Sequence, residues 1–202
     1  MPSRGRSTTS SKRSISLRKA LICAALLITA AIIVFFPLKS FISEQIDLYK
    51  YPIGFTDQVE CFAKEYGVPN TLLYSVINTE SGFEPSAHSR AGAKGLMQIM
   101  DITNEDICKR SGMPVDADIF DPTVNIERGA YYLAYLYRQF GSWQEAVAAY
   151  NAGIGRVKGW LSDEAYSADG KTLHTIPIAE TRAYVEKVMS GEKKYAELYF
   201  SE

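Results

Sequence analysis

Metal-binding and redox residues are scarce in this sequence. Its 202 residues include three Cys and two His. Cys23, Cys61 and Cys108 fit no metal-ligand spacing, and His88 and His174 add no cluster, so neither a metal nor a cofactor is expected. Charge of one sign is also lacking overall, with a formal net charge of -1. Fourteen Gly and eight Pro are too few for a collagen-like or low-complexity chain, and 47% apolar residues exclude a wholly disordered one. The length suits one well-cored domain with an appendage rather than two full domains.

What charge there is lies unevenly. Residues 1–19 hold six of the 22 bases and no acid, so this tail carries +6 and the remainder -7. The tail is rich in Ser and basic residues and reads as a solvated cytoplasmic segment able to touch anionic lipid, not as a nucleic-acid arm. Ala20–Leu38 follows without a single charged residue. As a helix it would reach about 28 Å, close to the ~30 Å hydrocarbon core of a bilayer. Residues 20–38 therefore read as one transmembrane helix, and the bases before it place the N-terminus in the cytoplasm. A cleaved signal peptide is the alternative. The bulky run Val34-Phe35-Phe36-Pro37-Leu38, where small residues should mark cleavage, favours an uncleaved anchor.

Residues 39–55, with Pro52 and Gly54 and no long period, read as a stalk, and the folded domain spans residues 56–202 on the outer face of the membrane. Helical signals follow one another there. Thr56 and Asn70 stand where N-caps belong, before segments ending near Tyr66 and Glu80. Asp121-Pro122 opens a helix to Phe140 that Gly141 stops. Further helices are expected over 103–109, 143–151 and 179–199. No strand pattern of comparable length appears, so the class is mainly α, with loops at 81–94 and 153–178 long enough to line a cleft. Tyr131, Tyr132, Tyr135, Tyr137 and Phe140 invite a sugar-stacking role, but their helical spacing with Leu133, Ala134 and Leu136 favours a core face. In an outer domain a Cys61–Cys108 disulfide is permitted, and pairing is not readable from sequence.

Three segments carry the candidate chemistry: Glu80-Ser81 at a helix end, Gly92 to Met100 (GAKGLMQIM), and Ala148 to Gly153 (AAYNAG). In this order, with the lead-ins Tyr51-Pro52 and Tyr66 to Pro69, they make the chain from about Tyr51 to Met189 resemble the soluble-lytic-transglycosylase-like family of peptidoglycan-cleaving enzymes, whose fold is lysozyme-like. The resemblance implies that Glu80 is catalytic, acid first and base second, with no partner carboxylate. It implies a glycan strand as substrate, cut between N-acetylmuramic acid and N-acetylglucosamine to leave a 1,6-anhydromuramoyl end. Ser89, Gln98, Met100, Tyr150, Asn151 and Glu180 match substrate-binding or supporting positions of the family. Tyr150 is expected to orient the acid, and Glu180 has a first-turn charge effect as its plain alternative.

The residues themselves agree on Glu80. A general acid must hold its proton near neutral pH, which burial beside Leu96, Met97, Met100 and Tyr150 and the negative end of a helix would both favour. The family pattern has Pro after Met100, and this chain has Asp101. Asp101 is expected to cap the next helix. As a second cleft carboxylate it would instead allow a base-activated water and a hydrolytic muramidase. A silent peptidoglycan-binding scaffold is the remaining alternative, and the intact Glu80 argues against it.

Overall fold

The computed structural model describes Thr29 and residues 32–201, which fall into two compact units meeting between Lys50 and Tyr51. In the first unit, α1 (residues 32–50) is helical and leaves Ile33, Val34, Phe35, Phe36 and Phe41 exposed. Most of the expected span, residues 20–28, 30 and 31, lies outside the described residues, as does the basic tail. No described helix is long and apolar enough to cross a membrane. The segment read as a stalk is helical as far as residue 50, because its breakers, Pro52 and Gly54, lie beyond that point.

The regular elements of the second unit are helices, and its only strand-like pairings among the described residues are two isolated bridges, His88 with Lys94 and Lys94 with Ile99. The helices are α2 (Thr56–Tyr66), α3 (Asn70–Glu80), α4 (Asp101–Ser111), α5 (Pro122–Phe140), α6 (Trp143–Ala152), α7 (Ile154–Leu161) and α8 (Ala179–Tyr195). A π-helical turn, Ala196–Phe200, closes the chain. Local signals explain α5 well. Asp121 Oδ1 accepts from the Thr123 and Val124 amides, Pro122 occupies the first turn, and Gly141 ends the helix at φ 74°.

Four local expectations are corrected. Thr56 and Asn70 do not cap α2 and α3: they are the first helical residues, after Phe55 and Pro69, and no side chain caps either helix. Asp101 does not cap α4: it is the first helical residue, after Met100, and its carboxylate pairs with Lys94 Nζ at 2.7 Å. The loop expected at 153–178 contains α7, whose Gly155 and Gly159 weaken the helical signal but whose Val157 is fully buried. Packing supplies what propensity does not. Cys61 and Cys108 are both free, the first exposed and the second buried.

The core is a contiguous apolar cluster in which α3 packs on α8, α2 on α5, and α6 on both α5 and α8. Leu72, Leu73, Val76 and Ile77 of α3 and Val147 of α6 are fully buried. At roughly 1.5–3 kcal/mol for each large apolar side chain, burial of such a set dominates the favourable side of folding. Tyr131, Tyr132, Tyr135 and Phe140 pack against this core. Tyr137 does not join them and stacks on Trp143, ring centroids 4.1 Å apart.

Helices α3 and α8 approach closely at one place. The Ser75 hydroxyl, itself buried, donates to the Val188 carbonyl at 2.7 Å, and a side chain at Gly191 would collide with the Ser75 hydroxyl. Hydrogen bonding satisfies the polar group, and glycine makes room for it. The middle of α3 is thereby held against the second half of α8.

Candidate active site

Glu80 is the last residue of α3 and is partly buried. Its Oε1 accepts a hydrogen bond of 2.6 Å from the Tyr184 hydroxyl of α8. Burial pushes the Glu80 carboxyl up from an ordinary 4.5 to about 7, against the opposing effects of the Tyr184 bond and the Lys187 charge. Desolvation wins because both opposing groups favour the charged form only partially, while loss of water disfavours it throughout. The negative end of α3 acts in the same direction as burial. Near neutral pH the carboxyl therefore exists in both forms.

Two phenols lie close enough to respond to this charge. Burial, followed by the Glu80 charge, raises Tyr150 and Tyr184 well above the usual value for tyrosine. Both remain protonated donors at any physiological pH. They donate to different acceptors: Tyr184 to Glu80, and Tyr150 to the Met97 carbonyl at 2.8 Å. Orientation of the acid thus falls to Tyr184, where the sequence pointed to Tyr150. A backbone acceptor carries no mark in sequence. Tyr184 does leave a signal, since Thr181, Tyr184, Val185 and Val188 form one inward-facing stripe of α8 on which tyrosine is the long side chain that ends in a hydroxyl.

The segment from Lys94 to Met100 is strapped across the domain by buried polar bonds. Lys94 and Ile99 exchange backbone hydrogen bonds at 3.1 and 3.0 Å. Asn125, fully buried, accepts from the Met97 amide at 2.7 Å and donates to the Lys94 and Ile119 carbonyls at 3.0 and 2.8 Å. Ser81 Oγ, beside the acid, donates to the Leu96 carbonyl at 2.8 Å. Met97 lies against α5, where any side chain at Gly129 would collide with it. These contacts bury Leu96 and Met97 completely and leave Met100 at the surface.

Gln98, Met100 and Tyr150 come together around a cavity of about 50 Å³ that Thr103 and Tyr132 also line. Gln98 sits at φ 48° in the left-handed region, held there by its side-chain amide, which donates to the Ala87 and Gly95 carbonyls at 3.1 and 2.9 Å. Its nitrogen is committed to the loop, and its carbonyl oxygen is the group left for a ligand. Ser89 lies in the preceding turn, where its Oγ accepts from the Ala93 amide at 3.0 Å. Asn151 Oδ1 accepts from Thr181 Oγ1 at 2.8 Å, tying the end of α6 to the start of α8. Glu180 is exposed in the first turn of α8, and its carboxyl group makes no hydrogen bond among the described residues. Neither Ser89 nor Glu180 lines the cavity around Tyr150. No group of three or more metal-ligating side chains occurs among the described residues.

A family model described as the transglycosylase SLT domain matches residues 59–173, more than half of the chain. The soluble lytic murein transglycosylase of Escherichia coli K12 is 34% identical over 151 residues, covering 72% of this chain and 23% of that protein. Among solved structures, an inactive Glu-to-Gln variant of the lytic transglycosylase Slt from Pseudomonas aeruginosa is 36% identical with a TM-score of 0.66, over 73% of this chain and 24% of that one. A 70-kDa soluble lytic transglycosylase in complex with bulgecin A is 30% identical with a TM-score of 0.69, over 77% of this chain and 26% of that one. The chain thus spans about a quarter of the length of the relatives it matches.

The raised acid of Glu80 makes stability depend on pH. Because the folded value of about 7 lies above the ordinary 4.5, the folded state binds the proton more tightly. The contribution of Glu80 to stability is therefore fully present below pH 4.5, is lost as pH rises towards 7, and changes no further above that. Glu80→Gln, which cannot ionise, should be more stable than the parent at pH 8 by up to about 3 kcal/mol and equal to it near pH 4. Urea denaturation at the two pH values measures this; a difference that does not change with pH would rule out the shifted carboxyl.

Proposed function

The chain belongs to the transglycosylase SLT domain family, and from that membership and the surroundings of Glu80 we propose that it is a membrane-anchored peptidoglycan lytic transglycosylase. The observation that carries the proposal is the position of Glu80, at the end of α3, where burial raises its carboxyl and its Oε1 accepts from the Tyr184 hydroxyl at 2.6 Å. The substrate is the β-1,4 bond between N-acetylmuramic acid and N-acetylglucosamine. Glu80 gives its proton to the bridging oxygen as the bond to C1 of the muramic acid breaks. The C6 hydroxyl of the same sugar attacks C1 and returns its proton to the Glu80 carboxylate. The product is a 1,6-anhydromuramoyl end, and no water is consumed. The N-acetyl group of that sugar supports the oxocarbenium-like centre.

A nucleophile within the substrate has an effective concentration water cannot match, so one carboxyl suffices. An acid with a pKa near the working pH is suited to both halves of the cycle. Tyr184 helps most when Glu80 is the carboxylate, between the two steps, because a hydrogen bond to the charged form is the stronger one. Asp101, the carboxylate that a hydrolytic reaction would recruit, is engaged by Lys94 and exposed. The inactive glutamine variant of the Pseudomonas relative supports a glutamate-dependent reaction here too. Gln98, Met100 and Tyr150 hold the strand at the cavity they line, with Ser89, Asn151 and Glu180 supporting the walls.

The outer location rests on the uncharged run at 20–38, the +6 tail before it and the apolar side chains that α1 leaves exposed. A reporter active only outside the membrane, fused to the C-terminus, should be functional; activity confined to a cytoplasmic reporter would refute the orientation. For the reaction, purified sacculi digested with the full chain should release muropeptides with anhydro ends, and Glu80→Gln should release none while still binding sacculi. Reducing ends without anhydro sugar would establish a hydrolase, and undiminished release by the variant would remove Glu80 from the mechanism.

A further inference from the structure

A second cavity, of about 230 Å³, lies away from Glu80, between α6, α8 and the loop that joins α7 to α8. Arg182 and Glu186, one turn apart on α8, both line it, together with Gln144, His174, Leu173 and Val185. Tyr184, two residues from each, faces the opposite way, towards Glu80. The cavity thus lies on the side of α8 away from Glu80.

Its walls are fixed. Glu145, fully buried on α6, accepts from the Leu173 amide at 3.0 Å, and Gln144 donates to the Leu173 carbonyl at 3.4 Å. Arg182 Nη1 donates to the Ile176 carbonyl at 2.8 Å. The second oxygen of Glu145 has no hydrogen-bond partner among the described residues, so a buried carboxyl group is spent on holding the loop in place.

The charges at the rim are opposite yet not joined. Among the described residues no ion pair links Arg182 to Glu186, although their spacing is the one at which helical side chains meet. The order basic-then-acidic is the weaker of the two for such a pair, and the Arg182 guanidinium is already drawn to the Ile176 carbonyl. A fixed guanidinium offers its remaining N–H groups to a carboxylate, and a free Glu186 offers oxygens to an ammonium. Leu173, Ile176 and Val185, nearly buried, give a short apolar floor between them. The volume is below the ~300–1,000 Å³ of pockets for drug-sized ligands, so it suits one amino-acid head and not a run of sugars.

We propose that this cavity binds the zwitterionic end of a peptidoglycan stem peptide, its carboxylate on Arg182 and its ammonium on Glu186. The proposal rests on the peptidoglycan reading of the Glu80 cleft, and it adds a peptide contact that a bare glycan strand lacks. Its test uses binding without turnover, so it can fail while anhydro products still form. The free tripeptide L-Ala-γ-D-Glu-meso-diaminopimelate, titrated into the isotopically labelled full chain in micelles, should shift the amide resonances of Leu173, Thr175 and Val185 saturably. Acetylation of the side-chain amine of the peptide, or Glu186→Gln in the protein, should each weaken binding about fivefold, as expected for loss of one partly exposed charge pair. Glu186 makes no hydrogen bond or ion pair among the described residues, so this variant should fold even if Arg182→Ala loosens the loop. Shifts confined to residues around Glu80, no saturable shift, or equal affinity for the acetylated peptide would each overturn the proposal.

Discussion

The hydrogen bond from Tyr184 to Glu80 joins residues 104 positions apart, and most of the domain's packing is needed to make it. It exists because α3 and α8 lie close, which depends on the buried Ser75 hydroxyl reaching Val188 and on the absence of a side chain at Gly191. The bond also decides chemistry. Burial alone would drive Glu80 towards a permanently neutral acid, able to give a proton but slow to reclaim one. Tyr184 and Lys187 pull the other way, and the balance lies at about 7. A carboxyl at that balance point suits a cycle in which one group is acid and then base.

The second requirement is a rigid wall beside the acid. The strap from Lys94 to Met100 has little regular structure, yet its backbone polar groups are satisfied by Asn125, Tyr150 and Ser81. Each bond links the strap to a different helix: Asn125 belongs to α5, Tyr150 to α6 and Ser81 follows α3. Residues in the Gln98 to Met100 turn can therefore hold unusual conformations, such as the positive φ of Gln98, without drifting. In the proposed reaction Tyr150 serves by fixing this wall, and Tyr184 serves by holding the acid.

What sequence made legible was local. The start of α5 is written in Asp121-Pro122 and the ends of α2 and α5 in Gly67 and Gly141, because caps and stops act within a few residues. Glu80 at a helix end was legible for the same reason. Helix α7 was not, since two glycines in eight residues look like a loop until tertiary packing buries Val157. The partner of Tyr150 was hidden because it is a main-chain carbonyl, and Asp101 was misread because Lys94, seven residues earlier, competes for it. Long-range pairings of this kind depend on how helices cross, which composition and periodicity do not encode. The opening net charge of -1 is likewise an average, over a basic tail and an acidic remainder that are proposed to work in different compartments.

The central claim is that Glu80 carries its proton into the neutral range, and it can be observed without substrate. Carboxyl-carbon NMR of the full chain labelled at glutamate, with Glu80→Gln used to assign the resonance, follows this one group as pH changes. A midpoint near 7 is the expected result. A midpoint near the ordinary 4.5 would contradict the account, because Glu80 would then be a plain carboxylate with no proton to give.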